Sequence, residues 1–309
     1  MTQQKRYKKV AVLMGGPSAE REVSLRSGAA ALRGLLDSGY DAEAVDVHGR
    51  EFKLPPGTEA VFIALHGAFG EDGGVQSVLD QMGIPYTGSG AEASQVAMDK
   101  VLTKAAFDRH GIPSPAYRIL HRGDAFSFPL PAVVKPSGQG SSIGVHLLRS
   151  PDDIEAALAD AFRYDDTVLV ETYIDGRELT VGVIDRHPLP VVEIAAPGGW
   201  YGYTAKYTPG QTQYHCPAAI SEAVRDEAWR ISLAVFDALG CEGVGRVDFR
   251  LQADGSLFVL ELNSIPGLTE TSLLPKAAAQ AGIPFPELCH RLMQTARYGA
   301  GRGGGHGSL

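Results

Sequence analysis

Between Val244 and Asn263 two carboxylates and an amide fall at one spot if the segment folds back on itself. Asp254-Gly255 is a favoured two-residue turn between apolar runs, and pairing centred there sets Asp248 opposite Glu261 and Arg246 opposite Asn263. These four side chains share one face. By strand alternation Val247, Phe249, Phe258, Leu260 and Leu262 take the other, core-directed face. Like charges directly opposite on a sheet are destabilising, so the Asp248/Glu261 pair calls for a cation between them. Hard oxygen donors from two carboxylates and an Asn suit Mg2+, with Mn2+ as an alternative, shared with the phosphates of a nucleotide. The competing reading is an exposed strand whose charges are balanced by Arg246 and Arg250.

A second chemical signal lies upstream. Lys135 ends an apolar strand just before the loop Ser137-Gly138-Gln139-Gly140-Ser141, where small residues let backbone amides approach an anion and the ammonium supplies charge. That is phosphate chemistry without a Walker A loop, since no Lys-Ser/Thr pair closes a GxxxxG.

The elements that must position these groups follow from the hydrophobic pattern. In the first ninety or so residues buried strands alternate with helices: strands at Val10 to Met14, Ala42 to Val47 and Val61 to Leu65, helices from Ser18 as N-cap to Asp37 and from Val75 to Met82. This predicts an open α/β sheet whose site forms at the carboxyl ends of the strands, where the Gly15 loop and His66 fall. A dinucleotide-binding fold is disfavoured because Gly15-Gly16-Pro17 lacks the GxGxxG spacing. One helix is expected from Ala91 to His110. Strands Pro131 to Lys135, Ser142 to Leu148 and Thr167 to Tyr173 form a second unit. A third has strands Leu179 to Ile184 and Leu189 to Ala195, a helix Ser221 to Leu239, the carboxylate hairpin, and a helix near Phe285 to Ala296 with Leu288, Leu292 and Ala296 on its core face.

Composition narrows the function. Hydrophobic residues make up 44% of 309, a globular value, and no apolar run approaches the roughly 20 residues of a membrane span. The polar start, Met1 to Lys9, is not a signal-peptide core, and a cytoplasmic protein is expected. Cys216, Cys241 and Cys289 have no CxxC spacing and are read as structural. With 36 acidic against 28 basic residues and no Lys/Arg-rich run, nucleic acid is not an expected partner, and neither is a membrane.

Over nearly its whole length the chain resembles the D-alanine:D-alanine ligases, a family of ATP-grasp enzymes. The resemblance is carried by nine segments in order: Gly15-Gly16-Pro17-Ser18-Ala19-Glu20-Arg21-Glu22-Val23-Ser24-Leu25, His66-Gly67-Ala68-Phe69-Gly70-Glu71-Asp72-Gly73, Tyr86-Thr87-Gly88-Ser89-Gly90, Met98-Asp99-Lys100, Val134-Lys135-Pro136, Gly140-Ser141-Ser142-Ile143-Gly144, Ala205-Lys206-Tyr207, Gly245-Arg246-Val247-Asp248 and Glu261-Leu262-Asn263-Ser264-Ile265-Pro266-Gly267. Ser264 and Pro17 depart from the family's usual Thr. The resemblance implies an ATP-grasp fold in three domains: an N-terminal open parallel α/β domain, residues 1–96, a small central domain, 97–180, and a C-terminal antiparallel-sheet domain, 181–309.

It also implies roles. Asp248, Glu261 and Asn263 would hold Mg2+. Lys100, Lys135 and Ser142 would meet the phosphates of ATP, and Lys206 the γ-phosphate. Glu171 and Glu178 match the adenine and ribose contacts, with Thr172 standing where a Lys is frequent. Glu20 would anchor the ammonium of the first D-alanine beside His66, and Arg246 with the Gly267 amide would form an oxyanion hole. Ser272 and the Leu273 amide would grip the second substrate's carboxylate. A hydroxyl network of Tyr207, Ser141 and Glu20 would tie a closing segment, Pro197 to Tyr214, to the first domain. The implied reaction is ATP-dependent formation of D-alanyl-D-alanine through a D-alanyl phosphate, for peptidoglycan precursors, by a homodimer. The rivals are a ligase making a D-lactate ester or D-alanyl-D-serine, and a non-catalytic ATP-binding regulator.

Overall fold

The computed structural model describes residues 5–196, 202 and 212–299. The first sheet is parallel, with β1 (Lys9–Gly15) between β2 (Asp41–Val47) and β3 (Ala60–Ile63). From Val10 onward its central strand is apolar and buried because both faces are covered, which is the rule for parallel sheets. Helix α1 (Arg21–Asp37) follows β1 across a tight turn at Gly15, φ +87°, where a Cβ would lie 2.3 Å from Asp46 Oδ1 and 2.4 Å from Arg21 Nη1. Only glycine leaves room there for the Arg21–Asp46 ion pair at 2.7 Å. The expected Ser18 cap is corrected: the helix begins at Arg21 with Glu20 as N-cap. Ser18 Oγ instead accepts from the Glu20 N–H and donates to the His66 carbonyl, stitching the turn to the segment that follows β3. Helix α2 (Gly74–Met82) completes this unit.

The helix expected from Ala91 to His110 is two helices, α3 (Ala91–Met98) and α4 (Lys100–His110). Asp99 takes extended backbone angles and its side chain accepts from the N–H groups of Val101 and Leu102, so it caps α4 and breaks the run. The second sheet is antiparallel, in the order β4 (Tyr117–His121), β7 (Thr167–Thr172), β5 (Ala132–Pro136) and β6 (His146–Leu148), with α5 (Ile154–Ala161) against it. β6 is shorter than the sequence suggested. Ser141 and Ser142, φ 53° and 58°, and Gly144, φ 66°, adopt left-handed backbone that cannot continue a strand.

The third sheet is also antiparallel, running β11 (Gln213–His215), β10 (Val192–Ala195), β8 (Arg177–Ile184), β12 (Val244–Leu251) and β13 (Leu257–Asn263), with the short β9 (His187–Pro188) on β8. Helix α6 (Glu222–Leu239) packs its Ile231, Val235 and Phe236 against this sheet. The last helices among the described residues, α7 (Leu273–Gln280) and α8 (Phe285–Gln294), return to the first unit. Leu288, Leu292 and Ala296 are fully or almost fully buried in one core with Val10, Val12 and Leu35. Gly34 on α1 lets α8 close in, since a Cβ there would lie 2.5 Å from Cys289 Sγ. Burial pushes the Cys241 thiol up to about 11 and the Cys289 thiol up to about 12, so both stay protonated packing groups.

Candidate functional site

The β12–β13 hairpin pairs Arg246 with Asn263 and Asp248 with Glu261, as the turn arithmetic predicted, although by a different route. The loop is one residue longer than expected: Gln252 pairs with Ser256, and Gly255, φ 91°, closes a three-residue turn. A β-bulge between Asp248 and Phe249 absorbs the offset, with Phe249 opposite Val259. The two shifts cancel at the carboxylates. Leu257 and Val259 therefore enter the core, and the expected core residues Phe258 and Leu260 do not. Leu260 is turned toward a cavity that Asp248 and Glu261 also line.

The charge balance also differs from expectation. Asp248 is already countered: Arg246 donates to both its oxygens at 2.9 Å, Thr180 Oγ1 donates at 2.5 Å and Asn263 Nδ2 at 3.1 Å. Repulsion between Asp248 and Glu261 thus does not by itself demand a cation. Glu261 is half-buried and lines both of the cavities described below. The donor set is still hard oxygen, and it fits a Mg2+ ion held by Glu261, Asn263 and Asp248.

Two cavities meet at this hairpin and share Lys100, Gln139 and Glu261. The larger, about 480 Å³, opens at the carboxyl end of the first sheet. Glu20, His66 and Ser141 line one side of it, and Arg246, Asn263, Gly267, Ser272 and Leu273 the other. Ser141 Oγ donates to Glu20 Oε1, joining the glycine-rich loop to the start of α1. His66 lies between Ser27 Oγ, 3.1 Å from Nε2, and Glu71, 3.6 Å from Nδ1. Gly267 sits against Ser272, whose Oγ would be 2.9 Å from a Cβ there. Sequence reasoning gave no role to Ser27 or Glu71; the i+5 spacing from His66 to Glu71, closed by the Gly67 N–H donating to Glu71 at 2.9 Å, was the available signal.

The smaller cavity, about 80 Å³, lies between the second and third sheets. Lys135, Ser142 and Glu171 line it from one side, and Glu178, Asp248 and Leu260 from the other. Glu171 is buried between two ammonium groups, Lys135 at 2.5 Å and Lys104 at 3.1 Å. Burial alone would raise the Glu171 carboxyl, but the two cations outweigh it and hold the group below the usual carboxylate range. Burial likewise opposes the charge on Lys135, and Glu171 overcomes it, so Lys135 stays a cation. Glu178 pairs with Arg250 at 3.2 Å. Lys100, at the first position of α4, donates to the Gln139 carbonyl at 2.5 Å, and its own N–H donates to the Ser137 carbonyl. The break at Asp99 makes this possible, since Ser137 Oγ donates to the capping carboxylate at 2.9 Å.

Fifteen of the seventeen residues singled out from sequence line one cavity or the other. Lys206 and Tyr207 lie outside the described residues, as does most of the segment from Pro197 to Tyr214. No helix among the described residues is long and apolar enough to cross a membrane.

Comparison with known proteins agrees with this geometry. Residues 107–294 match the family model described as the D-ala D-ala ligase C-terminus, and residues 50–89 the one described as the N-terminus. A D-alanine–D-alanine ligase of Syntrophotalea carbinolica is 48% identical over 95% of this chain and 98% of its own length. One from Citrifermentans bemidjiense is 49% identical over 94% and 96%. Among solved structures, a D-alanine–D-alanine ligase of Bacillus anthracis superposes with a TM-score of 0.82 at 32% identity, covering 93% of this chain and 97% of that one. The same enzyme complexed with ATP gives 0.80 at 29%, with the same coverage.

Proposed function

Since the chain belongs to the D-alanine–D-alanine ligase family, we propose a division of labour between its two cavities, with ATP in the smaller and both D-alanines in the larger. The enzyme joins two D-alanines at the expense of ATP, for cell-wall precursor synthesis. The observation that carries the division is the shared wall: Lys100, Gln139 and Glu261 belong to both cavities, so a phosphoryl group can pass from one to the other there.

A carboxylate is a poor electrophile, so the first D-alanine must be activated. Its carboxylate oxygen attacks the γ-phosphorus, ADP leaves, and an acyl phosphate forms with Lys100, Lys135 and Lys206 countering the charge. Bound Mg2+ would neutralise the phosphates beside Asp248, Glu261 and Asn263. Glu20 anchors the first ammonium, and its hydrogen bond from Ser141 fixes the carboxylate. The second amine, once deprotonated, attacks the acyl carbon. Arg246 and the Gly267 N–H meet the tetrahedral oxyanion, which collapses with loss of phosphate. Ser272 and the Leu273 N–H hold the second carboxylate, and the N-terminus of α7 beside them favours an anion. Glu171 and Glu178 take the adenine and ribose end.

The three-domain division, a homodimer and a cytoplasmic setting complete the proposal on family membership. Tyr207 favours an amine acceptor over D-lactate. The test is ADP release and product mass with D-alanine, L-alanine, D-serine and D-lactate in parallel. D-Alanine should give dipeptide with stoichiometric ADP and phosphate, and L-alanine none. ATP binding without D-alanine-dependent turnover would establish the regulator instead, and preferential ester or D-serine product would reassign the acceptor.

A further inference from the structure

We infer that Lys104, which lines neither cavity, is a positioning residue that keeps Lys135 electrostatically available to a polyphosphate by taking half of the Glu171 carboxylate. This rests on the smaller cavity being the nucleotide site. Lys104 is 2% exposed, and its ammonium meets Glu171 Oε1 at 3.1 Å, the Pro115 carbonyl at 2.9 Å and the Tyr117 ring, 5.4 Å to its centre. It lies one helical turn beyond Lys100 on α4, so both lysines project from the same helix face toward the second sheet. Glu171 Oε2 goes to Lys135, which does line the cavity.

The cluster therefore has two cations and one anion. With Lys104 in place, the buried group carries net positive charge, and Lys135 is the cation it presents to the cavity. Without Lys104, Glu171 and Lys135 close into a neutral pair, and the attraction Lys135 offers a phosphate is largely cancelled. Burial depresses the proton affinity of Lys104, Glu171 opposes that, and the neighbouring Lys135 adds to it. Lys104 also fixes Pro115, part of the cavity wall, which gives a purely structural alternative.

Calorimetry with adenosine and with ADP in the presence of Mg2+ separates the two roles, because adenosine carries no phosphate. The parent chain should bind ADP more tightly than adenosine; if it binds neither, the nucleotide reading of the cavity fails, whatever Lys104 does. In Lys104→Met, ADP should bind about tenfold more weakly or worse, with adenosine changed by less than about threefold. The KM for ATP should rise while the KM for D-alanine holds. In Lys104→Met/Glu171→Gln, no carboxylate neutralises Lys135; the change at the adenine end weakens ADP and adenosine alike, and the ratio of ADP to adenosine affinity should return to within about threefold of the parent's. Equal losses of ADP and adenosine in the single variant, or a ratio of ADP to adenosine affinity in the double variant no higher than in the single, would overturn the inference. Should Lys104→Met fail to fold by circular dichroism, the double variant decides alone. A ratio of ADP to adenosine affinity near the parent's supports charge sharing, and a ratio about tenfold lower refutes it.

Discussion

At the residue scale the hairpin assigns its carboxylates different duties. Asp248 is 6% exposed and locked by Arg246, Thr180 and Asn263, whereas Glu261 looks into both cavities. Glu261→Gln should therefore cost about 100-fold or more in turnover, through lost phosphate-side charge compensation, with little change in melting temperature. Asp248→Asn should lose activity and also about 1–3 kcal/mol of stability, because Arg246 loses the carboxylate it grips in a half-buried site. Paired urea titrations and turnover assays check this, and equal stabilities of the two variants would contradict the assignment. The left-handed backbone of Ser141 and Ser142 belongs to the same scale. Each such non-glycine conformation costs about 1–3 kcal/mol, which is tolerated here where the loop meets Glu20 and the cavities.

Elements decide which side of a sheet those residues reach. The bulge in β13 brings Leu260 and Glu261 to the cavity side together, so in the proposed nucleotide site Leu260 would offer an apolar wall to the base or ribose. Leu260→Ser should weaken ADP binding several-fold, on the order of 1 kcal/mol for the smaller apolar area covered by the nucleotide, while the KM for D-alanine stays put. Unchanged ADP affinity would reduce the bulge to a packing feature. A second element-level tie joins β8 to β10, where Arg177 grips Glu193 through both oxygens at 2.7 Å. Hydrogen bonding from Arg177 holds the Glu193 carboxyl below its ordinary value. A depressed folded-state value means the stabilisation is full above the unfolded Glu value, about 4.3, and is lost as pH falls through the folded one. Melting temperature should drop below about pH 4.3, and Glu193→Gln should flatten part of that drop. A variant with the parent's slope would remove this pair from the acid transition.

At the scale of the whole molecule, α8 closes the core of the first unit. Leu288, Cys289, Leu292 and Met293 are at most 2% exposed in a core shared with β1 and α1, and Arg297 pairs through its backbone with Tyr86. Four buried side chains at about 1.5–3 kcal/mol each approach the entire stability of an ordinary domain, about 5–15 kcal/mol. A chain ending at Gly282 should fail to give a cooperative melt and should expose apolar surface to a dye such as ANS. A truncated chain with the parent's melt would show that the first unit stands without α8.

The sequence alone determined the parallel first sheet, the antiparallel hairpin and the residue types that converge on it. Alternation, turn residues and motif order are local properties, and they survive one-residue errors. Tertiary structure decided what local pattern cannot reach. The Asp248/Glu261 register came out right only because a longer turn and a bulge cancel, and the same pair of shifts moved Phe258 and Leu260 out of the core. The Asp99 cap was written in the chain but outweighed there by a helical run of periodic apolar residues. The buried charges were least legible. Lys104, Lys135 and Glu171 come from three separate elements, and their mutual dependence exists only once packing removes water and makes each charge answer to the other two.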